Sequence, residues 1–309
     1  GCSGLQSVKI PDSVTSIGSY AFENCDGLVS AEISGNIYAN AFQSCDNLEK
    51  VTVKNASSIG EYAFSDCIKL AEVELEEGLT SIGRYVFSGC TGLLTMQLPD
   101  SITDIGGRAF YNCTGLSEIN YPKSLNSIGY WYKHTSDYDY YGYLYQGCTN
   151  LKKIEVPEGV TELPAYAFRG CSSLEEVVLP ESLTSIGNSA FLGCSGLQSV
   201  EIPEGVTSVG NYAFENCRGL TELTLPGNIE SLGSEIFSGC TGLTKITIAE
   251  GSKTVGSSMF EGCSSLTEVE LPEGLTSIRG SAFLGCSGLQ SVKIPDSVTS
   301  IGSYAFENC

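Results

Sequence analysis

One histidine, one tryptophan and two methionines are all that 309 residues hold of those types, and basic side chains are few: 16 Lys and Arg face 36 Asp and Glu, a formal net charge of −20. Each scarcity excludes something. The lone imidazole, His134, has no H-E-x-x-H, G-x-S-x-G or glycine-rich phosphate loop around it. The sequence therefore reads as non-enzymatic and as calling for no cofactor. The negative balance repels phosphate backbones and anionic lipid, which argues against nucleic-acid binding and membrane-surface binding by this segment. Its acidity is spread along the chain, and solubility explains it at least as well as a basic partner does. No run of 18 apolar residues exists, so no membrane insertion is expected of this segment. Neither an initiator Met nor a signal peptide opens it.

What the chain does have is cysteine, and the fourteen cysteines act as a ruler. They stand at Cys2, Cys25, Cys45, Cys67, Cys90, Cys113, Cys148, Cys171, Cys194, Cys217, Cys240, Cys263, Cys286 and Cys309, in steps of 23, 20, 22, 23, 23, 35 and then seven of 23. Self-similarity at such a period is the signature of a solenoid. Counted from each Cys, position +3 is Leu in every unit, from Leu5 to Leu289, and the third residue before the next Cys is Phe, with Tyr145 the one exception. The template is C-x-x-L-x-x-V-x-L-P-x-x-V-x-x-I-G-x-x-A-F-x-x-C. Burying its eight or so apolar positions supplies roughly 12 to 24 kcal/mol, while fixing 23 backbone residues costs about 1 to 2 kcal/mol each. One unit cannot fold alone, so neighbouring turns must stack and bury one another's apolar row.

Within a unit, L-x-x-V-x-L, as in 174–179, alternates and is rich in branched residues, which predicts a strand. Stacked in register, these strands form a parallel sheet. Pro at +9 lacks an N–H and ends the strand, and the V-T-S-I stretch is extended enough for a second short strand. The frequent Gly at +16 suits a corner with unusual backbone angles, although Tyr38, Pro164 and Arg279 occupy the same place. The following x-x-A-F-x-x-C has room for one or two helical turns, 3₁₀ or α.

The recurring I-G-x-x-A-F-x-x-C-x-x-L-x-x-V-x-L-P string resembles the BspA-type, bacterial surface-antigen-like class of leucine-rich repeats, and covers essentially the whole chain. The resemblance implies an α/β fold: a right-handed leucine-rich-repeat solenoid of about 13 turns of a 23-residue repeat, with a parallel sheet along one face and short helical turns. It also implies an extracellular setting, secreted or cell-surface, because members are commonly exported proteins of host-associated bacteria and some protists with a role in adhesion. It supplies no catalytic residues, since the shared motif is a core motif. On this reading residues 1–309 are a single solenoid domain.

One Cys per turn, always three residues before the Leu, reads as a buried structural column. Parallel stacking separates equivalent Cβ atoms by about 4.8 Å, beyond the mean of about 3.8 Å that a disulfide prefers, so the thiols are expected to be free and to behave as small hydrophobes. Without a C-x-x-C pair, no metal site is expected.

Exposed strand positions define one face of the sheet. Its +7 row, Lys9, Glu32, Thr52, Glu74, Gln97, Asn120, Glu155, Val178, Glu201, Thr224, Thr247, Glu270 and Lys293, is polar and lacks aromatic clusters. A solvated face fits it as well as a binding face. The breaks in the period carry more. Two are small deletions, in 33–42 and 51–60. The third is a 12-residue insertion between Gly129 and Leu144, giving YWYKHTSDYDYYGY at 130–143. Here lie Tyr130, Trp131, Tyr132, His134, Asp137, Tyr138, Asp139, Tyr140, Tyr141 and Tyr143, including six of the 16 Tyr and the only Trp and His. An aromatic loop on a rigid scaffold is a candidate binding element, for a protein hot spot or a sugar ring. Alternatively the segment folds as a hairpin over the flank of the solenoid, or meets another chain. Asp137 and Asp139 fall far short of the roughly 6 to 8 oxygens of a Ca²⁺ site. Two short N-x-S/T matches, at Asn55 and Asn112, are of the kind chance produces.

Residues 1–25 and 285–309 are identical, which points to a longer super-repeat or a recent duplication and to a fragment of a longer protein. It also raises end-to-end self-association. The reading that results is an extracellular, adhesin-type interaction scaffold whose partner is a host or cell-surface protein. A carbohydrate-binding module using the 130–143 insertion and a passive surface spacer are the alternatives.

Overall fold

The computed structural model describes residues 1–125, 127–128 and 142–309. It divides into two compact units, Gly1–Pro157 and Glu158–Cys309. Each is a parallel-strand solenoid of leucine-rich-repeat type.

In the first unit the L-x-x-V-x-L segments pair side by side as Ser7–Lys9, Ser30–Ser34, Lys50–Lys54 and Glu72–Leu75, followed by Thr95–Met96 with Glu118–Ile119. Like aligns with like: Val8 opposes Ala31, then Val51, then Val73. The V-T-S-I expectation is met by a second, six-stranded ladder running from Ser16–Ile17 to Ser127–Ile128. Within it Ile17, Ile37, Ile59, Ile82 and Ile105 follow one another in register. In the second unit Leu223, Ile246 and Val269 align in the first ladder, and Glu162–Leu163 to Ser300–Ile301 make up the second as sheets of four and three strands. Between the ladders the Pro carbonyl accepts from the residue three on, as from Val14 and Leu183, so Pro closes a turn where the strand stops.

The core is a set of columns. Phe22, Phe42, Phe64, Phe87, Phe110 and Tyr145 stack with ring centroids 4.8–5.6 Å apart in the first unit, and Phe168 to Phe306 do so at 5.0–5.7 Å in the second. Such pairs add about 0.5–1.5 kcal/mol each beyond burial. The cysteines are free, as expected. From Cys45 to Cys148 and from Cys194 to Cys309, the thiol donates to the carbonyl of the aromatic residue one turn back, at 3.0–3.3 Å.

Two expectations are corrected. There is no helix among the described residues: x-x-A-F-x-x-C is a run of hydrogen-bonded turns. The cause is visible at 62–67. Tyr62 and Asp66 have φ of 56° and 60°, and these left-handed residues aim alternate N–H groups out of the turn. Tyr62, Phe64 and Asp66 donate to Arg84, Val86 and Ser88 of the next turn, while Ala63, Ser65 and Cys67 donate three residues back. A helix would keep all of them inside its own segment. The +16 glycines, for their part, do not have positive φ. They are there because the preceding turn is close. A Cβ on Gly60 would lie 2.7 Å from the Ala39 nitrogen, and one on Gly187 2.5 Å from that of Ala165. Tyr38 and Arg279 hold side chains at this position with their N–H 3.0 Å from the preceding carbonyl, against 2.7–2.9 Å for Gly60, Gly83, Gly106, Gly187 and Gly210. Where φ does require glycine is Gly35, at 90°, which alone joins Ser30–Ser34 to Asn36–Ile37 and so makes the 20-residue turn.

Candidate functional site

Sheet-face side chains pair with the next turn. Lys9 meets Glu32 at 2.6 Å, Lys50 meets Glu72 and Glu74 at 2.9 Å, and Lys245 meets Glu268 at 2.6 Å and Glu270 at 2.9 Å. Thr52 and Thr247 donate to the same glutamates, Glu74 and Glu270. The ammonium groups, with the threonine hydroxyls second, hold the Glu74 and Glu270 carboxyls below the ordinary range. Glu72 and Glu74 push Lys50 up to about 12. All are exposed or half-buried, and each pair contributes about 0–1 kcal/mol.

Some of the acidity has a local task that the sequence did not disclose. The carboxylates of Glu77 and Glu158 accept from the backbone N–H groups of Asp100 and Ser101, and of Glu181 and Ser182, one turn later. They cap the next bend. A groove of about 620 Å³ crosses the first unit's sheet face, where Met96, Ile119 and Tyr121 lie beside Glu118, Lys123 and Glu155.

Of the sequence-predicted site, Tyr130, Trp131, Tyr132, His134, Asp137, Tyr138, Asp139, Tyr140 and Tyr141 lie outside the described residues. Tyr143 is within them. It has φ of 59°, and its ring lies under the Arg108 guanidinium, 4.4 Å from ring centroid to carbon. Arg108 also lies over Tyr85 at 5.4 Å and donates through Nη1 to the Tyr85 hydroxyl. Tyr85 stacks on Tyr62 at 4.7 Å with 7° between the rings. A four-turn column, Tyr62–Tyr85–Arg108–Tyr143, thus runs along the turn edge of the first unit. Sequence reading passed over it, although the signal was present: the place two before Phe is Tyr in six units, among them Tyr20, Tyr62, Tyr166 and Tyr304, and Tyr143 stands two before Tyr145.

Among the described residues no group of three His, Cys, Asp or Glu is arranged to hold a metal ion, and no helix is long and apolar enough to cross a membrane. Burial pushes the thiols of Cys67, Cys113, Cys194 and Cys217 up, and those of Cys240 and Cys286 to about 12, so these groups are not poised as nucleophiles.

Among solved structures, a leucine-rich repeat protein from Bacteroides ovatus is similar over 98% of this chain and 85% of its own, at 28% identity and a TM-score of 0.82. One from Eubacterium ventriosum is similar over 98% and 88%, at 26% identity and a TM-score of 0.56. No curated protein matches the chain. Residues 1–55, 35–134, 140–232 and 186–309 match the BspA type leucine rich repeat region, in 6 copies, and the chain belongs to that family.

Proposed function

We infer that this chain is a non-enzymatic extracellular interaction scaffold of the adhesin type, secreted or held at the cell surface, whose partner is a host or cell-surface protein. The observation that carries this reading is the division of labour within each turn. The repeated motif residues are consumed in Phe, Leu and Cys columns, and Lys9, Lys50 and Lys245 of the sheet face pair with glutamates of the next turn, so much of the scaffold's own chemistry is structural. Recognition is then left to departures from the repeat. The foremost is 130–143, with Trp131 and six Tyr in fourteen residues, the residue types that dominate protein hot spots. Its root is fixed by the Arg108–Tyr143 contact, which suits a loop displayed from a rigid support.

The same aromatic content supports a second reading, a sugar-binding loop. The test is a binding screen of the chain against extracellular-matrix proteins and a neutral glycan array, beside a variant lacking 130–141, which restores the 23-residue spacing. Protein binding by the parent and not by the variant is the expected result. Binding confined to neutral glycans selects the second reading, and no binding to any protein or glycan leaves a passive spacer.

A further inference from the structure

The chain has 36 acidic residues in 309, about one in nine, yet 81–99, 105–117 and 142–154 contain no Asp or Glu and carry Arg84, Arg108, Lys152 and Lys153. The structure brings the turn portions of these stretches together. Tyr85, Phe87 and Gly89 donate to Gly107, Ala109 and Tyr111, and Arg108, Phe110 and Asn112 donate to Gly142, Leu144 and Gln146. The result, among the described residues, is an acid-free strip on the turn edge of a strongly anionic protein. Asp66, whose carboxylate lies against Gly89, marks its border.

Along the strip runs the Tyr85–Arg108–Tyr143 part of the column, while Tyr62 at its end stands outside the strip, between Glu61 and Asp66. The Arg84 guanidinium is 5.6 Å from the Tyr85 ring and that of Arg108 is 5.9 Å from Tyr111. Arg108 has no carboxylate partner among the described residues; Tyr rings hold it, and its Nε is enclosed without a partner. Among the described residues, its charge is therefore not neutralised locally. At physiological salt, acids elsewhere on the surface are screened beyond about 8 Å. Each of these six side chains is half-buried, so the column is a rigid ridge.

We propose that this ridge is a binding site for an acidic glycan, a carbohydrate bearing carboxylate or sulfate groups. The geometry favours a sugar chain over an acidic protein segment. The inner ring faces of the column are taken up, Tyr62 and Tyr85 by each other and Tyr85 and Tyr143 by Arg108, so among the described residues the ridge offers little free apolar face of the kind protein hot spots fill. What it offers is a single file of phenol edges and guanidinium groups, one per turn. Such a file fits a ligand that is hydroxylated along its length and charged at intervals, with the Arg fork on its carboxylate or sulfate. The site differs from 130–141 and holds whether or not that segment binds a protein.

The test is titration of the full chain at 0.15 M salt with heparin and with polygalacturonate, which separate sulfate from carboxylate recognition, alongside dextran and poly-L-glutamate. The Arg84→Gln/Arg108→Gln chain is measured in parallel, with Arg218→Gln/Arg279→Gln as a charge-matched control in the second unit and circular dichroism to check folding. The expected result is binding of at least one acidic glycan but not dextran, weakened about tenfold or more by the first double substitution and unchanged by the second. If Arg84→Gln/Arg108→Gln fails to fold, Arg108→Lys, which keeps the charge and removes the fork, replaces it and is expected to weaken binding. Failure of both polyanions to bind, equal loss with the control pair, or binding of poly-L-glutamate as tight as that of the glycans overturns the proposal.

Discussion

Three substitutions within one turn separate the two reasons a position can require glycine. Gly187 is at +16 with an ordinary φ, and an added Cβ would meet backbone atoms of Ala165, Pro164 and Leu163 at 2.5, 2.7 and 2.8 Å. The turn cannot back away without lengthening the 2.9 Å bond from its N–H to Leu163. Gly193 is the converse: φ is 76°, and the nearest atom to its Cβ would be at 3.8 Å, an ordinary contact. Ser189, with φ of 53°, already has a side chain in the left-handed region. Overpacking of this kind costs about 1–3 kcal/mol or more, so Gly187→Ala is expected at the upper end, about 3 kcal/mol. Gly193→Ala carries only left-handed strain of about 1–2 kcal/mol, offset by about 0.4–1 kcal/mol of reduced unfolded-state entropy. Ser189→Gly reverses both terms and is expected near zero, within about 0.5 kcal/mol. Urea denaturation followed by circular dichroism gives the order, and hydrogen exchange at the Leu163–Gly187 bond localises it. If Gly187→Ala costs no more than Gly193→Ala, close approach is not why glycine occupies +16.

Further predictions concern the core and the sheet face. Phe214 is fully buried between Phe191 and Phe237 at 5.0 and 5.4 Å, so Phe214→Ala is expected to cost about 3–5 kcal/mol and to lower the urea midpoint; a loss under about 1 kcal/mol contradicts the packed column. Cys2 and Cys309 are exposed and the other twelve thiols buried, so a thiol reagent is expected to label two sites in the native protein and fourteen in urea. Because Lys50 and Lys245 depress the Glu74 and Glu270 carboxyls, the stability these pairs contribute is present above the unfolded carboxylate value of about 4.3. It is lost as pH falls through the lower folded values. The stability difference between the parent and Lys50→Met/Lys245→Met is therefore expected to vanish near pH 3, within the carboxylate titration range; a difference independent of pH means the pairs do not act through charge.

Much of the fold was legible because its information is one-dimensional. A Leu three residues after each Cys and a Phe three before the next leave the stacking little choice, and Ile17 to Ile105 fall into register as their spacing requires. What escaped reading depends on bonds between residues about 23 apart. Nothing local to Tyr62 or Asp66 shows that their N–H groups leave the segment. The Gly, Asn and Asp residues standing just before most cysteines, such as Asn24, Asp66 and Gly193, did carry the left-handed signal that rules a helix out. The site was less legible for the same reason. Tyr62, Tyr85, Arg108 and Tyr143 are scattered over 82 positions, and only the stacking makes them a column, whereas the 130–143 cluster announced itself by composition.

Every change of length in this chain falls at a bend. Gly35 shortens one turn between its two strands, and the 51–60 deletion falls in the gap between Lys50–Lys54 and Ser58–Ile59. The twelve extra residues enter between Ser127–Ile128 and Tyr143. Across the first deletion Ser16–Ile17 still pairs in full with Asn36–Ile37, and across the second the ladder keeps its Ile37–Ile59 rung. Closing a longer loop costs only about 0.6 kcal/mol per doubling of its length. The bends are therefore ports for splicing, where foreign segments can be grafted without renegotiating the core. The third port, between 128 and 143, shows that a graft rich in Tyr, Asp and Trp is compatible with the stacking of Phe110 on Tyr145 in the turns either side of it.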